Sequence, residues 1–249
     1  MDRGKFFAYL RKRDSGVFGT SLSQKQVDGI NGILDAFETH GDSKSDTLAY
    51  ALATAYHEVG GRMVPVREGF ASSDTGARRA VAALARKRGP NSAVARYARP
   101  DGPYGHVYYG RGHVQLTWLS NYEGSSRDAG VDLVEFPDQM LDPVISARVM
   151  IKGLLDGRWN GRGKGLRHYL DAGDLMGARR TVNITDKWQT IAGYHRAFLK
   201  AIEAAGGWSR AVRPVQPDMA QIAPPEPAEP AKGFLAALMG LFASFGGRS

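Results

Sequence analysis

The sequence predicts a mainly α-helical fold. Three observations carry this. Helix-start signals recur along residues 1–210, the apolar positions after them follow the helical period, and no sustained run of alternating strand residues is present. Ser23, with Gln26 three residues on, is a capping-box pattern that opens a helix to about Thr39; Gly29 and Gly32 are its weak points. Ser45 or Asp46 can cap a second helix, whose apolar positions Leu48, Ala51, Leu52, Ala55 and Val59 keep the period until Gly60 and Gly61 end it. The Ala- and Arg-rich stretch 75–88 reads as a third, closed by Gly89 and Pro90. Asp142 followed by Pro143 is an N-cap with proline at the first helical position, opening a helix to about Leu155. Two more helices are expected near 174–181 and 186–205, and residues 107–118 form a short strand or extended loop.

Composition narrows the function. At 249 residues the chain is long enough to bury a core without staples, and with no cysteine it has no disulfide, thiolate metal site or Cys nucleophile. The apolar run 6–10 within the basic segment 1–13 is too short for a signal-peptide core, and no 18-residue apolar stretch predicts a membrane span. Three domains are expected: a catalytic domain over 1–210, a linker over 211–232 rich in proline, and a short apolar helix over 233–249. Three basic and three acidic residues cancel beyond residue 210, so the whole formal charge of +8 falls on 1–210.

Two carboxylates stand out. Glu58 lies in the last turn of the second helix, at the rim of its buried face. Partial burial disfavours its charged form, and the negative end of the helix dipole acts the same way; both suit a general acid. The alternative is a solvated helix-end carboxylate or one paired with Arg62. Zinc ligation fails on spacing, because the second His of His-Glu-x-x-His is replaced by Gly61. Glu68 follows ten residues later, after a loop marked by Gly60, Gly61 and Pro65. A loop can set a second carboxylate across a cleft from a helix end, as an inverting glycosidase requires. The alternative is a surface pair with Arg67. A third segment, 108–122, combines glycines, aromatics, amides and hydroxyls that can stack on and bond to sugar. Its alternative is a buried aromatic loop with Arg111 in a structural salt bridge.

Together these motifs resemble glycoside hydrolase family 19, the chitinase family that also contains bacteriophage endolysins. His-Glu-x-x-Gly matches His57 to Gly61, the second family Glu matches Glu68, and Tyr-x-Gly-Arg-Gly-x-x-Gln-Leu-[Ser/Thr]-x-x-x-Asn-Tyr matches Tyr108 to Tyr122 nearly throughout. Gly130 to Leu133, Pro137-Asp138 and Leu141 to Pro143 look like the bacterial and phage branch, and Val182-Asn183 matches a Val-Asn near the last family helix. The resemblance covers about 48–205. It implies a lysozyme-like, two-lobed helical fold with a substrate cleft, and an inverting mechanism with Glu58 as acid, Glu68 as base and Thr117 holding the water. It also implies sugar contacts from Gln115, Asn121 and Asn183; His57, Tyr109, Arg111 and Trp118 complete the candidate substrate-binding set. The chain departs from the family in placing Ile184-Thr185 after Asn183, and Thr190 where the family often has an Arg partner of its catalytic Glu; Arg196 or Lys187 are the candidate substitutes.

The expected substrate is peptidoglycan, cut between N-acetylmuramic acid and N-acetylglucosamine. A basic protein gains little from neutral chitin but is drawn to an anionic wall, and Arg78, Arg79, Arg86, Lys87 and Arg88 give one helix a basic face. This reading implies an endolysin, held in the host cytoplasm before release to the wall. A chitinase and a non-catalytic basic wall- or nucleic-acid-binding module are the alternatives, although no nucleic-acid motif is present and none is expected as partner. No metal or cofactor is required. The apolar tail, 234–245, is too short to span a bilayer and can lie at a membrane surface or dock on protein.

Overall fold

The computed structural model describes residues 1–182 and 185–208, all within one compact unit, Met1–Arg210. The linker and C-terminal helix expected beyond residue 210 lie outside the described residues, as does Asn183. The described part is mainly helical: α1 Arg3–Leu10, α2 Gln24–His40, α3 Ser45–Glu58, α4 Asp74–Arg88, α5 Ala93–Tyr97, α6 Leu119–Ala129, α7 Pro143–Asp156, α8 Leu166–Leu170, α9 Leu175–Arg179 and α10 Trp188–Ala204. Two short strands, β1 Val66–Arg67 and β2 Arg111–Gly112, pair antiparallel with Val66 opposite Gly112 and Arg67 opposite Arg111.

Local signals set several of these ends. Ser23 caps α2 through a complete capping box with Gln26, Ser73 caps α4, and the Asp142 carboxylate accepts the amides of Val144 and Ile145 at the start of α7. The cap of α3 differs from expectation. Lys44 occupies that position without a side-chain cap bond. Ser45 Oγ instead accepts the amide of Trp208, and Asp46 meets His195 Nε2 of α10 at 2.7 Å. Both candidate caps thus tie α3 to the end of the domain. The last helix begins at Trp188, two residues later than expected. Helices α1, α5, α6 and α8 were not anticipated; α5 and α8 are each five residues long, too short for a periodic signature.

The core divides in two. The larger cluster is built on α3, which packs chiefly against α10 and also touches α2, α7 and α8. Nine consecutive residues of α3, Thr47 through Ala55, are buried, so this helix is enclosed on every side rather than amphipathic. Its alanines at 49, 51, 53 and 55 let neighbours approach closely. The smaller cluster joins Ala77 and Val81 of α4, Val94 before Tyr97 in α5, and Val107 and Tyr109. These clusters are the two lobes. Gly29 has a packing role: a Cβ there would lie 1.9 Å from the Met63 carbonyl oxygen, so only glycine lets α2 meet the loop behind Glu58.

Candidate active site

A cavity of about 740 Å³ collects residues from both lobes. The larger lobe contributes Glu58 at the end of α3, Asn121 of α6, Trp159 and Arg180. The smaller contributes Leu84 and Arg88 of α4 with Ala93 and Tyr97 of α5. Glu68, Gly110, Gln115, Thr117 and Trp118 line it from the ribbon and loop segments.

Glu58 is held by charge. Its side chain is 15% exposed, and Arg179 Nη1, itself almost fully buried, donates to Glu58 Oε1 at 2.6 Å. Arg179 Nε donates in turn to the Asp186 carbonyl oxygen at 3.0 Å, which fixes the guanidinium plane. A buried cation thus joins the expected effects of burial and the helix end on Glu58. Arg179 is the last residue of the short helix α9. Among the described residues, Lys187 and Arg196, the candidate substitutes for the family Arg, form no ion pair with Glu68; that carboxylate takes the Tyr97 hydroxyl and the Gly110 amide instead. Arg62, the candidate partner of Glu58, stacks 3.8 Å from the Phe70 ring centroid.

Glu68 is held by neutral donors. Tyr97 Oη donates to Oε1 and the Gly110 amide to Oε2, each at 2.8 Å. The Glu68 amide donates back to the Gly110 carbonyl at 2.7 Å. Gly110 permits this approach: a Cβ there would stand 2.9 Å from Gln115 Oε1 and 3.2 Å from Glu68 Oε2. Burial, then the neighbouring carboxylate, pushes the Tyr97 phenol well above its usual range, so it remains a donor. Arg67 is not the partner of Glu68; it pairs with Asp138 at 2.6 Å.

The segment after Gly110 makes a rigid wall. Gln115 has a positive φ of 50° and donates through Nε2 to the Val66 and Gly112 carbonyls. Trp118 has φ of 74°, meets Tyr97 edge to face, and precedes α6 as its N-cap. Asn121 Nδ2 donates to the Thr117 carbonyl at 2.9 Å, holding the turn on which Thr117 sits. His113, between these residues, is fully buried. Its Nε2 lies 3.3 Å from the Met63 carbonyl and Nδ1 2.9 Å from Ser146 Oγ, so the neutral ring donates through Nε2 and accepts the serine hydroxyl. Burial lowers its pKa to about 4.

Three residues expected at the substrate do not line the cavity. Tyr109 is fully buried and donates its hydroxyl to Asp74 at 2.8 Å. Arg111, 2% exposed, bonds Asp138 through Nε at 2.8 Å and Asp74 through Nη2 at 3.3 Å, with its guanidinium 3.6 Å from the Tyr109 ring centroid. Its role is the structural salt bridge. Burial tends to raise the Asp138 pKa, but hydrogen bonds and charge from Arg67 and Arg111 outweigh it and hold the carboxyl below its ordinary range. His57 is half-buried against Tyr194, ring centroids 6.3 Å apart, and burial lowers its pKa. Conversely, Tyr97, Trp159, Arg162, Arg179 and Arg180 carry no motif; only the contacts distinguish them. No cluster of three His, Asp or Glu that could hold a metal occurs among the described residues.

A family model described as chitinase class I matches residues 28–155. That span contains both carboxylates and the wall from Gly110 to Asn121, and ends before Trp159, Arg179 and Arg180. An acidic endochitinase of Solanum chilense is 53% identical over 47 residues, 18% of this chain and 19% of that protein. Endochitinase 1 of Theobroma cacao is 36% identical over 101 residues, 29% of this chain and 32% of that protein. The chain thus spans less than a third of the length of these relatives. Among solved structures, chitinase C from Streptomyces griseus aligns over 84% of this chain and 94% of its own at 18% identity, with a TM-score of 0.43.

Proposed function

Because the chain belongs to glycoside hydrolase family 19, the chitinase class I family, we propose that it hydrolyses the β-1,4 bond between N-acetylmuramic acid and N-acetylglucosamine by an inverting mechanism. The observation that carries the chemistry is the pair Glu58 and Glu68 on one cavity, reached from different elements and held by different partners. Glu58 gives a proton to the glycosidic oxygen as that bond breaks, and the carboxylate that results is matched by Arg179. Glu68 takes a proton from water, whose oxygen bonds to the anomeric carbon from the opposite face. Thr117 and Gln115, on the same wall, are placed to orient that water and the acetamido sugar. Tyr97 and the Gly110 amide keep the base aimed, and Arg179 keeps the acid in place.

Charge supports the polymer. The net +8 lies on residues 1–210, and an anionic wall concentrates such a protein where chitin does not. In this reading the chain is an endolysin of host lysis, stored in the host cytoplasm and acting on the wall. A second reading, chitin hydrolysis, is favoured by the names of the plant relatives, and the same carboxylates would serve it.

One assay separates them. Wild type, Glu58→Gln and Glu68→Gln, each checked for folding, are incubated with peptidoglycan and with soluble chitin, and released ends are read by mass spectrometry. Reducing N-acetylmuramic acid ends, lost in both variants, are expected. Chitin oligomers alone would select the chitinase, anhydro ends would indicate transglycosylation, and product from both variants would dismiss the assigned pair.

A further inference from the structure

The cavity carries cations that the hydrolysis does not use. Arg88 ends α4, Arg180 follows the last residue of α9, and Arg162 stands in the loop between α7 and α8. All three line the same cavity as Glu58 and Glu68. They come from three separate elements, so no helix periodicity gathered them. Among the described residues none of the three side chains has a hydrogen-bonded or ion-paired acidic partner, whereas Arg111, Arg158 and Arg179 each do. The carboxylates lining the cavity do not neutralise them locally. Glu58 is taken by Arg179, Glu68 by Tyr97 and Gly110, and only exposed Asp186 remains. Two of the three, Arg162 and Arg180, lie beyond the span that the family model matches.

A neutral sugar polymer offers such guanidinium groups only hydroxyl and amide oxygens. A carboxylate offers two oxygens matched to the guanidinium fork, with opposite charge. Building on the reading above, we propose that Arg88, Arg162 and Arg180 form a carboxylate-recognising rim, which takes the acidic stem peptides branching from a peptidoglycan strand while the sugars lie along Glu58 and Glu68. The enzyme then selects a peptide-bearing glycan over a bare one by charge, through residues that touch no reacting atom. Trp159, on the same loop as Arg162, stiffens that side: its Nε1 donates to Ser125 Oγ at 3.1 Å.

The test is a binding measurement, so that failure of the hydrolysis reading and failure of this one are distinguishable. Full-length Glu68→Gln protein, used to suppress turnover, is titrated calorimetrically with four-sugar peptidoglycan fragments carrying stem peptides. The comparison ligand is the same fragment with its stem carboxyl groups converted to primary amides. The carboxylate form is expected to bind about tenfold tighter or better at low salt, as one or more charge-assisted contacts would give. That ratio should shrink between about 50 and about 500 mM salt. It should fall stepwise when Arg88→Gln, Arg162→Gln and Arg180→Gln are added in turn, with helical content unchanged by circular dichroism. Equal affinity for the two fragments, a ratio insensitive to the three substitutions, or binding of neither fragment would overturn the proposal. Hydrolysis of peptidoglycan could stand in each of those cases.

Discussion

The two walls of the cleft hold their carboxylates by opposite means. On the larger lobe, Glu58 ends a wholly buried helix and leans on a buried guanidinium from α9. On the other side, Glu68 directly follows the two-residue strand β1 and is gripped by a phenol and a backbone amide, both neutral. An ionic partner is strong and long-ranged, and it is costly to strip from a buried group. Neutral donors orient a carboxylate at a smaller energetic stake. The wall with the ionic anchor should therefore fail hard when broken, and the other should fail by degrees.

The largest expected effect is on chemistry. Removing either carboxyl as Gln should lower kcat by roughly 10²–10⁴-fold, the range for a positioned acid or base. Comparable rates in both variants and wild type would erase the distinction between the walls.

Next come the two buried arginines. Arg179→Met should destabilise the protein by about 3–5 kcal/mol in denaturant unfolding, since it leaves Glu58 without its cation. Adding Glu58→Gln should recover much of that loss. No recovery would mean that Arg179 acts through packing alone. Arg111→Met should cost less, about 1–3 kcal/mol, because it removes the donor to the Val107 carbonyl and one of the two cations on Asp138, which keeps Arg67. In its folded fraction KM should stay near the wild-type value; a large rise in KM would return Arg111 to the substrate.

Acid should expose the wall's support. His113 titrates at about 4 in the fold and near 6.5 unfolded. Between those values the unfolded chain holds the extra proton, so stability rises with pH and is lost as pH falls from about 6.5 towards about 4. The loss should approach roughly 3 kcal/mol from this residue. Unfolding midpoints of wild type and His113→Gln at pH 7 and pH 4.5 should show the steeper drop in wild type.

The smallest effect belongs to the neutral grip. Tyr97→Phe removes one hydrogen bond to Glu68 and should cost about 0.5–1.5 kcal/mol in transition-state stabilisation, roughly a 2- to 13-fold fall in kcat/KM. A loss as large as that of Glu68→Gln would make Tyr97 a participant in the reaction rather than a positioning residue.

Much of this was legible in sequence, because some signals are local. The capping box at Ser23 and Gln26, the Asp142-Pro143 start of α7 and the two glycines after Glu58 act within one turn of chain. The paired Glu motifs and the Gly110-to-Asn121 segment named the candidate chemistry in the same way. What tertiary structure decided were partnerships across distance. Arg179 meets Glu58 over 121 positions and Tyr97 meets Glu68 over 29, and nothing in the intervening sequence marks either. Arg111 and Arg180 show the same limit. Both are arginines, yet one is a core pin and the other faces the cleft, because burial and the neighbouring acid are set by packing, not by residue type. The sequence by itself determined that this chain is helical, basic and armed with two carboxylates; packing decided which charges are spent inside the fold and which are left facing a substrate.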